Sequence, residues 1–292
     1  MPAIAALGGM VVPAAVYLAF NATGAGRDGW GIPIATDIAF VLGALSLLGS
    51  RAPSGLRLFL LAIAIIDDIV AIVVIAVFYS DGIDFGALAG AAAMVIVVVV
   101  MRRLRITQPI AYLVPAVGLW LLLHESGVHA TIAGVALGLL TPARPVAGRA
   151  VLDDLQQRLH PFSSLVVVPL FALANAGVNV RVDALRDAAT SRVTWGVALG
   201  LVVGKTAGIT GATLLARRVG IGALPDDLGA RQLIGGAALA GIGFTVALFI
   251  ADLTFAGTEG LADAKLAILA ASILAGAGGS IVLTARPRRK SV

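Results

Sequence analysis

The chain has 292 residues; 59% belong to the set AVILMFWYC, 13% are charged, 35 are glycine and none is cysteine. Its mean hydropathy is +1.01, whereas soluble domains sit near 45–50% apolar with glycine included and about 25% charged. A soluble globule of this size cannot hide so much apolar surface, which excludes ordinary soluble enzymes, disordered tails and nucleic-acid modules, and the lack of cysteine removes disulfides and thiolate chemistry.

Ten apolar segments follow one another along the chain: 2–20, 32–48, 56–79, 85–101, 110–123, 127–141, 160–177, 193–216, 231–253 and 262–284. About 20 apolar residues cross the hydrocarbon core as a helix, so the shorter segments predict broken helices or helices buried behind others. The alternating pattern of a membrane β-barrel, the other spanning solution, is missing. MPAIAALGGM lacks the basic start of a signal peptide, so the first segment is expected to be a retained helix. No Gly/Ser linker divides the chain, and the charged stretch 142–159 is expected to be its longest loop. The expectation is an all-α polytopic membrane protein with one membrane domain over 1–292 and about ten spans.

The net charge of +5 is a topology signal. Sorted by alternate loops, Arg51, Arg57, Arg102, Arg103, Arg105, Arg144, Arg149, Arg158, Arg217, Arg218, Arg231, Arg286, Arg288, Arg289 and Lys290 fall on one side. Only Arg27, Arg181, Arg186 and Arg192 fall on the other. The positive-inside rule puts the first set in the cytoplasm, together with the start of the chain and the basic tail 286–292.

The informative residues are those a bilayer should exclude. Asp37, in WGIPIATDIAFVLG, follows Thr36 and the helix-limiting Pro33; an acid there can neutralise the positive end of a half-helix or hold an ion. Asp67 and Asp68 lie mid-segment in LFLLAIAIIDDIVAIVVIAVFY. A central charge costs about 2.5–3.5 kcal/mol and usually marks an ion path or proton relay. Successive helical residues point about 100° apart, so the two cannot share one partner face. Lys205 lies inside TWGVALGLVVGKTAGITGA; burial disfavours its charged form and a nearby carboxylate favours it, which leaves open whether it is a fixed counter-charge or a titrating group. Around it Gly196, Gly200, Gly204 and Gly208 form a small-residue face for close helix packing. GLVVGKT is one residue short of a phosphate loop and lies mid-span.

Gly241 and Gly243, with Thr245, interrupt AGIGFTVALFI. With the Pro33–Asp37 segment they make a pair of interrupted spans in opposite halves of the chain, the sequence pointer to a transporter's midplane site. His129 reads as a pH-responsive or structural histidine, Asn175 as a polar link between helices, and Lys265 as a side chain snorkelling to the interface.

These motifs together resemble the NhaA-type sodium/proton antiporter family. The resemblance runs from end to end and is carried by ATDIAF (35–40), AIAIIDD ending at Asp67-Asp68, SGVHATIAG (126–134), PLFALANAGV (169–178), Gly204-Lys205 and GIGFT (241–245). It implies an inverted-repeat fold with two crossed, interrupted helices. A core ion-transport unit is expected at 1–80 and 193–285, and a partial interface unit at 81–192. The implied activity is electrogenic, pH-dependent exchange of cytoplasmic Na+ or Li+ for external protons, at the inner membrane of a bacterium and without cofactor or enzymatic chemistry. By motif match, Asp67 and Asp68 carry the cation and protons, Lys205 pairs with Asp67, and Asp37 and Lys205 compensate half-helix dipoles where Thr36, Gly241, Gly243 and Thr245 build the crossing. His129 matches a position tied to pH response. The chemistry is coherent on its own terms: a hard cation wants oxygen ligands, and a carboxylate that holds either Na+ or H+ exchanges them when visited from alternating sides.

The departures are specific. Family members carry two further helices ahead of 2–20, with a dimerising β-hairpin between them; their absence predicts a weakened homodimer, or a fragment, a misplaced start or a shortened natural variant. Gln156 and Gln157 replace titratable residues before His160-Pro161, and Thr206 stands where proline is common. The rival readings are a sodium-coupled symporter of the same fold, an intramembrane aspartyl protease (whose GxGD signature is absent) and an inactive subunit, against which the intact Asp67, Asp68 and Lys205 argue.

Overall fold

A computed structural model describes residues 1–79, 82–146, 148–175, 177–178, 181–225 and 227–285. The basic tail 286–292, with Arg286, Arg288, Arg289 and Lys290, lies outside the described residues. The helices are α1 (Pro2–Phe20), α2 (Ile38–Leu48), α3 (Ser54–Phe78), α4 (Phe85–Arg103), α5 (Leu113–Glu125), α6 (Thr131–Leu140), α7 (Val151–Phe162), α8 (Val168–Asn175), α9 (Val182–Thr190), α10 (Arg192–Leu199), α11 (Lys205–Arg218), α12 (Ala230–Leu239), α13 (Phe244–Phe255) and α14 (Gly260–Thr284). Among the described residues there is no β-strand, only an isolated bridge between Val146 and Arg149.

Among these residues six helical stretches are long and apolar enough to cross a membrane: Pro2–Phe20, Arg27–Leu48, Ser54–Phe78, Phe85–Arg103, Arg192–Arg218 and Gly260–Thr284. The pair α12 and α13 passes the same test together, bent by 43° at its break. Stretches 109–125 and 131–140 are apolar but shorter. The outer surface is apolar too, with Leu47 92% and Leu173 78% exposed, as lipid contact requires and water would penalise. The chain is therefore a multi-span membrane protein.

Two compact units divide the chain, residues 1–71 with 174–292, and residues 72–173, the two boundaries falling inside α3 and α8. In the first unit, α1 lies along α11 so closely that a Cβ on Gly8 or Gly208 would overlap the other's carbonyl. The rest of the glycine face continues this packing. Gly204 meets Pro13, Gly200 meets Pro33, and Gly196 meets Tyr17 and Asn21. Small residues earn this role because lipid offers no hydrophobic drive for helix association, and dispersion grows with close approach.

The second unit has an apolar cluster at its centre, Ala91, Leu119, Leu123 and Ala133, joined by Leu88, Met94 and Ile132. Asp84 starts α4 by accepting from the amides of Gly86 (2.7 Å) and Ala87 (3.1 Å). The stretch 142–159 is not a loop throughout, because α7 begins at Val151. Val151, Leu155 and Leu159, four residues apart, form its apolar face and line a cavity of about 290 Å³ with Val98, Leu113 and Leu137.

Candidate functional site

Two interrupted segments meet inside the first unit. The first runs as a 3-10 helix over Arg27–Ile34, is non-helical at 35–37, and resumes as α2. The second is α12, a break at 240–243, and α13. Their backbones touch where the amide of Asp37 donates to the Ile242 carbonyl at 2.6 Å. Phe40 and Phe244, in the first turns of α2 and α13, pack ring to ring at 4.8 Å.

Each helix end at this junction carries the polar partner its dipole calls for. Asp37 Oδ1 accepts from the amides of Ala39 (3.1 Å) and Phe40 (3.2 Å) at the start of α2. Its Oδ2 accepts from the amide (2.9 Å) and hydroxyl (2.6 Å) of Thr245 at the start of α13. One carboxylate thus caps two helix N-termini, where negative charge is favoured. At the opposite ends, Lys205 Nζ donates to the Ile34 carbonyl at 2.6 Å, and the Thr36 hydroxyl lies 3.1 Å from the Ala240 carbonyl. Positive charge and donors there complement the negative ends of the 3-10 segment and α12.

Lys205, fully buried, also donates to Thr36 Oγ1 (2.8 Å) and forms an ion pair with Asp67 Oδ2 at 2.7 Å. The Thr36 hydroxyl is within donating distance of Asp67 Oδ2 as well, at 2.9 Å. Asp67 Oδ2 is therefore saturated, while Oδ1 is buried and meets no hydrogen-bond donor among the described residues. The same holds for Oδ1 of Asp68, the next residue, which is partly buried and feels the charges of Asp67, Asp37 and Lys205. Buried acceptors without donors are rare because each forfeits its hydration. A proton or a hard cation can satisfy such an oxygen.

Gly241 and Gly243 are at the junction for closeness. A Cβ on Gly241 would overlap the Leu201 carbonyl, and one on Gly243 would sit 2.9 Å from the Leu201 side chain. Leu201 belongs to a π-helical turn, Gly200–Gly204, in which the Lys205 amide bonds back to the Gly200 carbonyl five residues earlier. This turn, which no residue pattern announced, sets the rotation at which Lys205 enters the junction.

The structure brings together Thr36, Asp37, Asp67, Asp68, Lys205, Gly241, Gly243 and Thr245. His129 belongs to the second unit, partly buried before α6, and Asn175 ends α8. Gln156, Gln157 and His160 lie on the exposed face of α7, where the His160 ring meets the Ser164 hydroxyl at 2.9 Å. Lys265 does not simply snorkel: it pairs with Asp252 at 2.9 Å. Asp252 went unrecognised because it lies near the end of its apolar segment, where a lone acid reads as an interfacial residue. Asp227, which accepts from the Gly55 amide at the start of α3 (2.9 Å), was unrecognisable because its partner is 172 residues away in sequence.

The sequence profile of the family described as Na+/H+ antiporter 1 matches residues 1–283. The chain is 44% identical to the Na(+)/H(+) antiporter NhaA 3 of Frankia alni, over 97% of this chain and 68% of that one. It is 46% identical to the Na(+)/H(+) antiporter NhaA 2 of Klebsiella pneumoniae, over 100% of this chain and 77% of that one. It is 42% identical to the Na(+)/H(+) antiporter NhaA 1 of Mycolicibacterium vanbaalenii, over 94% of this chain, and spans only 50% of that longer protein. With a family profile matched almost from end to end and relatives this similar, the chain belongs to the NhaA family of Na+/H+ antiporters.

Proposed function

We propose that this chain exchanges Na+ or Li+ for protons across the inner membrane of a bacterium. The observation that carries the reading is the buried Asp67–Lys205 pair whose second carboxylate oxygen, like one oxygen of Asp68, meets no donor among the described residues. Protons and cation compete for these oxygens. When Na+ enters, more than one proton leaves the carboxylate site, and when those protons return they displace Na+. Neutral to alkaline cytoplasmic pH favours the deprotonated, cation-loaded state, so exchange rises with pH. Transfer of more than one proton per cation makes it electrogenic. Asp67 and Asp68 are the groups that bind, Lys205 is the counter-charge that Na+ or protons on Asp67 must reckon with, and Thr36, Asp37 and Thr245 hold the crossing. His129 is a candidate for pH response.

The break at 240–243 supports a reading in which access alternates about it. A segment joined by a non-helical hinge can change its tilt while Asp37 keeps both helix starts neutralised. An NhaA-type inverted repeat of about ten spans accounts for the shorter apolar stretches 109–125 and 131–140 as crossings buried within the full assembly. Its orientation puts the start and end of this chain in the cytoplasm, and its partners are cations, protons, lipid and a second copy of the chain.

The test is Na+-induced proton movement in proteoliposomes holding the full chain, at neutral and alkaline pH, beside Asp68→Asn. Exchange that grows with pH in the wild type and falls to background in the variant supports the reading. Equal exchange in both proteins sinks the carboxylate site. Uptake of an organic solute driven by Na+ would point to symport instead.

A further inference from the structure

The half-helix α13 is fastened at its start by Asp37, through Thr245, and at its far end by a second charged contact that the exchange mechanism does not use. Asp252 Oδ1 meets Lys265 Nζ of α14 at 2.9 Å, with side chains 30% and 13% exposed. Three features set this pair apart from an incidental one. Asp252 is in the last turn of α13, where the helix dipole disfavours a carboxylate, so it does not serve its own helix. A partly exposed ion pair adds little stability, while either charge left alone near the bilayer is costly. Most telling is the register. Asp252 follows Thr245 by seven residues, two helical turns, which places both within about 20° of one face and about 10 Å apart along the axis.

The four residues 256–259 between α13 and α14 keep the two helices adjacent, and the buried Ala247, Leu248, Ile250, Ala251 and Phe255 set which face of α13 turns inward, but apolar packing tolerates small rotations about the axis. A directional ion pair removes that freedom. Because Thr245 shares the face of Asp252, turning Asp252 away from Lys265 also carries Thr245 away from Asp37. α14 is a firm anchor, since it packs along α10 and α12 as well as α13.

We propose that Asp252 and Lys265 are positioning residues: their ion pair fixes the rotation of α13 and thereby the Thr245–Asp37 contact beside the ion site. This rests on the exchange function proposed above.

The experiment compares wild type, Asp252→Asn, Lys265→Gln, the double neutral Asp252→Asn/Lys265→Gln, and the exchanged pair Asp252→Lys/Lys265→Asp in proteoliposomes. For each, the half-saturating Na+ concentration and maximal exchange rate are measured, with the melting temperature in detergent. The single variants and the double neutral are expected to shift half-saturation by roughly five-fold or more, the scale of a typical coupling between sites, with a smaller change in maximal rate. The exchanged pair is expected to return it to within about two-fold of wild type, which a loss of packing alone would not do. Should the single variants not fold, the double neutral and exchanged pair decide, since neither leaves a lone charge. Wild-type half-saturation in a folded double neutral, or no recovery in the exchanged pair, overturns the proposal. A wild type that exchanges nothing overturns the exchange reading itself, a result separable from either.

Discussion

Asp37 and Asp67 are buried to nearly the same degree, 3% and 1% exposed, and both lie where the two interrupted segments meet, yet their surroundings differ in kind. Asp37 receives four hydrogen bonds, two per oxygen, from the starts of α2 and α13. Asp67 has one oxygen held by Lys205 and Thr36 and the other facing no donor among the described residues. A carboxylate whose lone pairs are occupied by three backbone amides and a hydroxyl has little left to offer a ligand and holds structure together. One that is half occupied retains the capacity to bind, and its charged partner keeps that capacity compatible with burial. Burial alone therefore does not separate a structural acid from a binding one; the count of its donors does.

Substitutions can break this contrast, beginning with the ion pair. Lys205→Met leaves Asp67 as a lone buried charge and is expected to cost about 3–5 kcal/mol, seen as a fall in melting temperature in detergent. Adding Asp67→Asn to it should restore most of the stability and none of the exchange. If the double variant stays as unstable as the single one, Lys205 matters for packing and not for charge.

Asp37→Ala removes the cap of two helices at once, about 0.5–2 kcal/mol for each. Asp37→Asn, which keeps an acceptor, should lose less by the same thermal measurement. Equal losses would mean that charge, not the hydrogen-bonded cap, is what the crossing needs. Thr36→Val takes away the hydroxyl shared by Lys205, Asp67 and the Ala240 carbonyl, and is expected to cost about 1–3 kcal/mol because buried groups lose their partner. A double-mutant cycle of Thr36→Val with Asp67→Asn should show non-additivity, and simple addition would place Thr36 outside the network.

A last pair of substitutions probes close packing away from the carboxylates. Gly208→Ala, pressed against the Gly8 carbonyl, should destabilise by about 1–3 kcal/mol. Gly211→Ala, on the same helix and with open space where the Cβ would go, should stabilise by about 0.5–1 kcal/mol.

Much of the site was legible before the structure, and for one reason. A charged or helix-breaking residue inside an apolar segment violates the solvent that surrounds it, so Asp37, Asp67, Asp68, Lys205 and Gly241 stand out against a lipid-compatible background. Where that contrast fades, legibility fades with it. Asp252 and Lys265 lie near segment ends, where charge is ordinary, and α7 hides in a charged stretch because its apolar face is only three residues, Val151, Leu155 and Leu159. The helices of 110–123 and 127–141 were readable as apolar, but their lengths as crossings were not.

The sequence by itself determined the membrane environment, the apolar segments, the family and the set of polar residues that burial must compensate, because these depend on composition and on local order. Only the tertiary structure decided which of those residues face one another. That Asp37 caps a helix through Thr245, 208 residues away, that Lys205 chooses Asp67 and not Asp68, and that Lys265 finds Asp252 are all consequences of rotation about helix axes. Rotation is fixed by a π-helical turn at 200–204, by glycines pressed against a neighbouring backbone and by the break at 240–243. The glycine contacts join distant parts of the chain, and the turn and the break are irregularities of the helix itself; local periodicity encodes neither.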